Sequence, residues 1–188
     1  MKKDLGVQTA VFPMPVLMIA SYDENGKVDV MNAAWGTICG TDKIALCISE
    51  GHKTFANIRK SGAFTVSLAD TAHVREADYF GIASGNKTDD KFERTGMKAV
   101  PSSRVNAPIV EDFPIAMECE LCDVVKTEHF HAVIGRIVNV VADEDVQDAD
   151  GQIDASKLNA ICFDPFRHLY YAVGDAVGAA WSCGKELL

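Results

Sequence analysis

The sequence has few basic residues for its size. Its 188 residues include 18 Lys and Arg against 27 Asp and Glu, which gives a formal charge of −9. Nucleic-acid binding depends mainly on clustered Lys and Arg, and anionic membranes attract the same residues. We therefore expect neither a nucleic acid nor a membrane as a partner.

Long hydrophobic runs are also lacking. The amino terminus begins with two lysines, but Asp4, Pro13 and Pro15 interrupt the apolar segment that follows, so the pattern is not that of a signal peptide. No later segment approaches the roughly 18 uninterrupted apolar residues of a transmembrane helix. These features predict a cytoplasmic protein.

The common catalytic fingerprints are absent as well. The chain contains no GxSxG, HExxH, Walker or Rossmann glycine motif, which removes the commonest hydrolases, phosphotransferases and dinucleotide-binding enzymes. The sequence therefore indicates no catalytic side chain. If the protein is an enzyme, we expect a bound cofactor to carry its chemistry.

Six cysteines are spread through the chain, at Cys39, Cys47, Cys119, Cys122, Cys162 and Cys183. A chain of this length can bury a core without disulfides, so we expect most of them to be reduced core residues. Cys119 and Cys122 form a CxxC pattern upstream of His129 and His131. Because the pattern lies in a predicted strand, where positions i and i+3 face opposite ways, we predict neither a metal site nor a redox dithiol.

Short apolar segments separated by turn residues make up most of the chain. Strands are predicted over 16–20, 28–30, 44–49 and 64–68, and a long hairpin pairs 115–126 with 130–142. Two short helices are predicted, over 54–61 and 73–84, with Thr54 and Thr71 as their N-caps. The polar segment 84–104 is predicted to be a long excursion. No linker or repeat divides the chain, so residues 1–188 are predicted to form a single, mainly β domain, a barrel with short helices.

The first candidate binding segment lies at 32–37. It places small residues around one large aromatic, Trp35, directly after the amide of Asn32. Small side chains let a ligand approach closely, and an Asn amide can bond to the edge of a planar heterocycle. The alternative is a tight strand junction with a Trp in the core.

The second candidate segment lies at 49–58. It combines a strand end, a glycine, Lys53 and the hydroxyl of Thr54 at the start of a helix. Free backbone N–H groups and the positive end of the helix dipole favour a phosphate at such a place. The alternative is a capped surface helix with a solvated lysine.

Taken in order, these motifs resemble the flavoredoxin and flavin-reductase-like family of FMN-binding split barrels. The resemblance covers roughly residues 10 to 175, and its specificity lies in the order of many individually weak motifs. The corresponding segments are Phe12-Pro13-Met14-Pro15-Val16, Asn32-Ala33-Ala34-Trp35, His52-Lys53-Thr54 with Asn57-Ile58, Gly62-Ala63-Phe64-Thr65-Val66-Ser67, Asp90-Lys91-Phe92, Met117-Glu118-Cys119, and His131 with Ile134-Gly135-Arg136-Ile137-Val138.

The resemblance implies a split β-barrel with Greek-key topology, acting as a homodimer with FMN near the subunit interface. It also implies which residues line the cofactor. Asn32, Ala33, Ala34 and Trp35 would line the isoalloxazine, and the phosphate side would be held by Ser49, His52, Lys53 and Thr54, with Asn57 nearby and Lys91 approaching from the excursion. Many members have Arg at the position of His52, so an imidazole replaces a permanent charge there.

Three functions remain open from the sequence. The first is an FMN-dependent oxidoreductase that takes electrons from NADH, NADPH or a redox partner, which is a small molecule or a protein. The second is an FMN-containing electron carrier whose acidic surface docks onto a basic partner. The third is a flavin-free split barrel that serves as a ligand-binding or structural dimer.

Overall fold

The computed structural model describes residues 1–188 and contains twelve strands and two α-helices. Three short 3₁₀ helices lie at Glu93–Thr95, Glu144–Val146 and Lys185–Leu187. The strands and α-helices are β1 (Met14–Pro15), β2 (Leu17–Tyr22), β3 (Val28–Ala33), β4 (Gly36–Ile38), β5 (Lys43–Leu46), α1 (Lys53–Ser61), β6 (Ala63–Leu68), α2 (Val74–Ile82), β7 (Ala99–Pro101), β8 (Pro108–Val110), β9 (Ile115–Lys126), β10 (His131–Ala142), β11 (Ile161–Asp164) and β12 (Leu169–Ala172).

Seven strands form one curled sheet in the order β3-β2-β6-β9-β10-β5-β4. The strands β3 and β4 occupy opposite edges, yet only Ala34 and Trp35 separate them in sequence. In a flat sheet these edges would lie roughly 29 Å apart, far beyond the reach of so short a connection. The sheet therefore curls into a half-barrel, which confirms the predicted mainly β split barrel.

The central strands are buried on both faces of this sheet. Along β2, Leu17 and Ile19 pack with Phe55 of α1, whereas Met18 and Ala20 pack on the other face, in the cluster that contains residues of α2. Alternating side chains thus point into two cores, as the period of a strand requires. The two helices are held on opposite faces of the sheet, and both contact β3.

The excursion 84–104 packs more closely than the sequence indicates. The predicted excursion 84–104 supplies Phe92 and Met97 to the core on the α2 side. The long hairpin β9–β10 forms as predicted, and buried Glu118 on β9 bonds to Ser102 of the excursion and to Asn139 of β10. Apolar anchors and one buried acid therefore hold the polar excursion against the sheet.

Both predicted N-caps are wrong. The N-cap of α1 is His52, which makes no side-chain capping bond, and Thr54 lies inside the helix because Asp29 accepts its hydroxyl proton. The N-cap of α2 is His73, whose backbone N–H donates to Asp70 Oδ1 at 2.9 Å, and Thr71 lies outside the helix. A tertiary partner occupies the Thr54 hydroxyl, whereas at α2 the neighbouring side chain of Asp70 accepts the backbone bond that Thr71 was predicted to receive.

The expectation that most cysteines lie in the core is wrong. All six are free, but only Cys119 and Cys162 are buried. The others lie beside the edge hairpin β4–β5, on the outer part of β9 and in the carboxy-terminal tail. Burial and the neighbouring charge of Glu118 raise the pKa of Cys119 to about 12.

No group of three or more His, Cys, Asp or Glu is arranged to hold a metal ion.

Neither α-helix combines the length and the apolar character that a membrane crossing requires.

Candidate functional site

Two adjoining cavities lie between β3, the start of α1 and the end of α2. We call them the apolar cavity, of about 400 Å³, and the polar cavity, of about 350 Å³. The apolar cavity is lined by Met31, Asn32, Ala33, Ala34, Trp35, Cys47, Ile48, His52, Asp78, Gly81, Ile82, Phe163 and Tyr170. The polar cavity is lined by Asp29, Met31, Asn32, Ser49, Gly51, His52, Lys53, Thr54, Phe80, Gly81, Ile82, Ala83, Ser84, Gly85 and Lys91. Five lining residues are common to both, so the two cavities are continuous.

The short connection between the sheet edges forms one wall of the apolar cavity. The Cys47 backbone N–H donates to the Trp35 carbonyl at 2.8 Å, which holds the connection against the end of β5. Trp35 itself is 53% exposed, so it is not the core residue of the alternative interpretation. A Cβ at Gly36 would come within 2.5 Å of Leu17 and 2.9 Å of Leu46, so a larger residue there would displace the ends of these two buried side chains.

The opposite wall combines side chains from three distant segments. The Asn32 amide donates to the Ala77 carbonyl on α2 at 2.9 Å and lies 3.4 Å from the Tyr170 hydroxyl. Tyr170 in turn donates to Asp78 Oδ1 at 3.1 Å. Burial and the Asp78 carboxylate raise the pKa of Tyr170, so the phenol stays protonated, with its proton directed at Asp78.

The polar cavity contains an acid and a base that are both deeply buried. Asp29 is 3% exposed and accepts the Thr54 hydroxyl proton on Oδ2 at 2.6 Å. Lys91 is 5% exposed, and its Nζ donates to the Phe80 carbonyl at 3.0 Å. Burial lowers the pKa of Lys91, although the charge of Asp29 partly offsets this effect. A buried ammonium with unused donors is suited to bind an anion.

The structure brings together nine of the ten residues proposed for cofactor binding. Asn32, Ala33, Ala34 and Trp35 line the apolar cavity, and Ser49, His52, Lys53, Thr54 and Lys91 line the polar one, with Asn32 and His52 at both.

Asn57 lines neither cavity. Its amide donates to Ser21 Oγ at 3.2 Å on the side of α1 away from the two cavities.

Four of the predicted site residues, all near the start of α1, have their polar groups engaged by the protein itself. The Lys53 ammonium lies 3.0 Å from Asp23 Oδ2, the Thr54 proton is donated to Asp29, and His52 Nδ1 bonds to Ser49 Oγ at 2.9 Å. Of the two lysines that line the polar cavity, Lys91 is therefore the one whose ammonium group forms no ion pair with a carboxylate. The polar cavity thus contains a hydrogen-bond acceptor, Asp29, as well as a donor, Lys91.

Sequence reasoning missed several lining residues, notably Asp29, Cys47, Asp78, Phe163 and Tyr170. The aromatic cluster at 163–173 was a visible signal for the last two. Asp29 carried no signal of its own, because an acid on a short strand is ordinarily solvent-exposed.

The fold is a split barrel, and its apolar cavity continues into a polar one with a buried lysine, a shape and polarity that suit a planar heterocycle with a charged tail. Residues 9–172 match the family model of the flavin reductase like domain. The chain belongs to the flavin reductase-like family, and it has the FMN-binding split-barrel fold of that family.

Solved structures of related proteins agree with this assignment. The chain is 38% identical to the flavoredoxin of Desulfovibrio vulgaris (Miyazaki F), with a TM-score of 0.94 over 98% of this chain and 100% of that one. A flavoredoxin from Methanosarcina acetivorans, 22% identical, superposes with a TM-score of 0.88 over the full length of both chains. Nitrilotriacetate monooxygenase component B from Bacillus cereus, 20% identical, gives 0.82 over 95% of this chain and 100% of its own. The last two likenesses show the fold alone.

Curated relatives are more distant. An uncharacterized protein of Aeropyrum pernix is 27% identical over 142 residues, which cover 74% of this chain but only 53% of that protein. One from Methanothermobacter thermautotrophicus is 24% identical over 160 residues, or 81% of this chain and 74% of its own. The chain thus spans about half the length of the Aeropyrum relative.

Proposed function

We propose that the protein binds FMN and acts as an oxidoreductase that moves electrons from NADH, NADPH or a redox partner to an acceptor. The continuity of the two cavities carries this proposal, because an isoalloxazine ring needs an apolar site and its ribityl phosphate needs a polar site directly beside it. Asn32 and His52, which line both cavities, stand at the junction.

The residues present fit this cofactor. Ala33 and Ala34 leave room for a flat ring, and Lys91 offers N–H donors to the phosphate end. When bound, the flavin supplies hydride and single-electron transfer. The protein then contributes position and electrostatics, which explains why no side chain with the signature of a catalytic acid, base or nucleophile is evident in the sequence.

Individual side chains have distinct roles in this site. The Asn32 amide is held by Ala77 and Tyr170, so the edge of the apolar cavity is already organised before a ligand enters. The Tyr170 hydroxyl donates its proton to Asp78, which fixes the phenol at that edge with its oxygen facing the Asn32 amide. Trp35 lines the apolar cavity while about half of its surface stays exposed, so its indole lies between the cavity and solvent.

Titration of the apoprotein with FMN tests the proposal, with flavin fluorescence and the visible spectrum as readouts. We expect quenching and a shifted flavin band. Ala34→Leu, which fills the apolar cavity, should weaken binding at least tenfold, whereas the control Lys98→Met, at an exposed position outside both cavities, should not. Unchanged fluorescence across the titration would instead favour the flavin-free binding module.

The electron-carrier hypothesis is the second candidate function. It is favoured by the formal charge of −9, since an acidic surface attracts a basic redox partner, and by the 38% identity to a flavoredoxin. Stopped-flow mixing of the FMN-loaded protein with NADH or NADPH separates the two. Rapid bleaching of the flavin band supports a nicotinamide-dependent oxidoreductase and rules out a pure carrier, whereas no bleaching excludes NADH and NADPH as donors.

We further propose that the protein is a homodimer with the flavin near the interface. Large apolar side chains are exposed around the apolar cavity and the termini, among them Trp35, Ile38, Ile82 and Trp181. An exposed apolar surface of this kind marks an interaction site. Light scattering should give twice the chain mass, and Ile38→Asp should shift the protein toward monomer. A monomeric wild-type protein would rule out this assembly.

The cytoplasm is the compartment we propose for this activity. Four exposed cysteines are free, a state that a reducing compartment preserves. Recovery of the native protein in a periplasmic or extracellular fraction would overturn this assignment.

A further inference from the structure

The polar cavity contains a carboxylate oxygen that has no partner in the protein. Asp29 is 97% buried, and its Oδ2 accepts the Thr54 hydroxyl proton, but its Oδ1 accepts no hydrogen bond. On one side Oδ1 lies against Gly85, where a Cβ would collide with it. Oδ1 is not one of the fully buried side-chain atoms that lack a partner, which are Tyr79 Oη and His131 Nδ1. It is therefore open to the cavity and can accept a hydrogen bond from a ligand.

Strand β3 shows which end of the site Asp29 occupies. Residues 29, 31 and 33 of this strand lie on the same face of the sheet. Ala33 lines only the apolar cavity, Met31 lines both cavities, and Asp29 lines only the polar cavity. Each step of two residues advances about 6.6 Å along a strand. A ribityl chain is about as long as such a step, so Asp29 belongs to the phosphate end of the site and not to the ring.

The charges that face this end cancel one another. Lys91 and Lys53 each bring one positive charge, but Lys53 is paired with Asp23 at 3.0 Å. Asp23 and Asp29 each bring one negative charge, which offsets the charges of the two lysines. His52, from the start of α1, is the remaining titratable group of the cavity. No surplus of fixed positive charge is therefore present to balance a doubly charged phosphate beside the Asp29 carboxylate.

We propose that FMN binding takes up one proton, which the flavin phosphate and Asp29 Oδ1 share. The site would then receive the phosphate as a P–OH group hydrogen-bonded to Asp29, with Lys91 on another phosphate oxygen. Two anionic groups in direct contact cannot both remain fully ionised. Because a phosphate monoester loses its second proton near pH ~6, the shared proton must come from solvent at higher pH. This inference rests on the proposed function.

Calorimetry of FMN binding measures this proton directly. Apoprotein is titrated with FMN at pH 7.5 in two buffers of different ionisation enthalpy, and the difference in heat gives the protons taken up. We expect about one proton for the wild type and close to none for Asp29→Asn, which keeps an acceptor for Thr54. Asp145→Asn, at an exposed acid outside the cavity, is the matched control and should behave like the wild type.

The pH dependence of affinity provides a second measurement that needs no variant. Uptake of one proton makes the Kd for FMN rise about tenfold for each pH unit above the phosphate pKa. Riboflavin, which lacks the phosphate, should show neither the slope nor the uptake. In Asp29→Asn the Kd for FMN at pH 8 should fall at least tenfold below that of the wild type.

The outcomes separate this inference from the proposed function. If FMN binds but Asp29→Asn takes up the same proton, then another group accepts it and the role of Asp29 is wrong. Equal uptake with riboflavin would also overturn it, because the phosphate would not be involved. If the wild type binds no FMN at any pH, the proposed function itself fails.

Discussion

The Asn32 amide donates a hydrogen bond to the Ala77 carbonyl, 45 positions along the chain, at 2.9 Å. This contact joins β3 on one edge of the sheet to α2 on its outer face. The same nitrogen lies 3.4 Å from the Tyr170 hydroxyl. One side chain therefore connects three segments that together form a wall of the apolar cavity.

Replacement of Asn32 by Ala should loosen this wall. We expect a loss of about 1–2 kcal/mol in the free energy of unfolding, since a buried carbonyl on α2 loses its side-chain donor. The Kd for FMN should rise at least tenfold. Urea denaturation of the apoprotein and a fluorescence titration measure the two effects. Asn106→Ala, at an exposed site without side-chain bonds, is the control. An unchanged Kd would show that Asn32 has no part in flavin binding.

Lys91 should make the stability of the apoprotein depend on pH in the alkaline range. Burial lowers its pKa from the ordinary 10.5, so at neutral pH the folded state carries the cost of a buried charge. As the pH rises through the lowered pKa toward 10.5, the folded state loses this proton before the unfolded state does, and stability is gained relative to a variant without the amine.

The variant Lys91→Met tests this linkage. Its apoprotein should be more stable than the wild type at pH 7, and the difference in the free energy of unfolding should narrow as the pH approaches 10.5. Lys98→Met, at an exposed lysine, should show no such pH-dependent difference. FMN binding by Lys91→Met should be weaker by ten- to a hundredfold, because the phosphate loses a charged donor. A difference that widens with pH would contradict the assignment.

Glu118 and Glu120 lie two positions apart on β9 and should respond very differently to truncation. Glu118 is fully buried and bonds to both Ser102 and Asn139, so Glu118→Ala should cost about 3 kcal/mol and release the 99–110 hairpin. Glu120 forms a half-exposed pair with Arg136, and Glu120→Ala should cost less than about 1 kcal/mol. Chemical denaturation gives both values, and equal costs would refute the role of Glu118.

Cys47 reports on occupancy of the apolar cavity. Its thiol lines that cavity, so FMN should slow its alkylation at least tenfold. Burial raises the pKa of Cys47, and because the thiolate is the reactive form, its labelling rate should keep increasing above the pH at which an ordinary thiol is ionised. Peptide mass spectrometry after iodoacetamide treatment measures this. Cys183, in the exposed tail, is the internal control, and equal protection of both would exclude a specific site.

The strands and the long hairpin were predictable because their signals are local. Alternating or continuous apolar residues and turn residues such as Asn25-Gly26 act over a few positions, and β9 and β10 form where the pattern indicates. The N-caps were not, because Thr54 donates to Asp29, 25 positions away, and because Asp70, not Thr71, accepts from the backbone N–H of His73. Thr54, which was predicted to contact the phosphate, instead donates its hydroxyl proton to Asp29, an acid that was not predicted to lie in the site.

The amino-acid sequence by itself determined the mainly β class, the two helices, the family resemblance and nine of the ten residues that the structure gathers around the two cavities. Only the tertiary structure decided that Asp29, Asp78 and Tyr170 join them and that Asn57 does not. The reason is physical. Periodicity records which face of an element is apolar, whereas contacts between residues 25 to 138 positions apart depend on strand register and on how the sheet curls to bring its edges together.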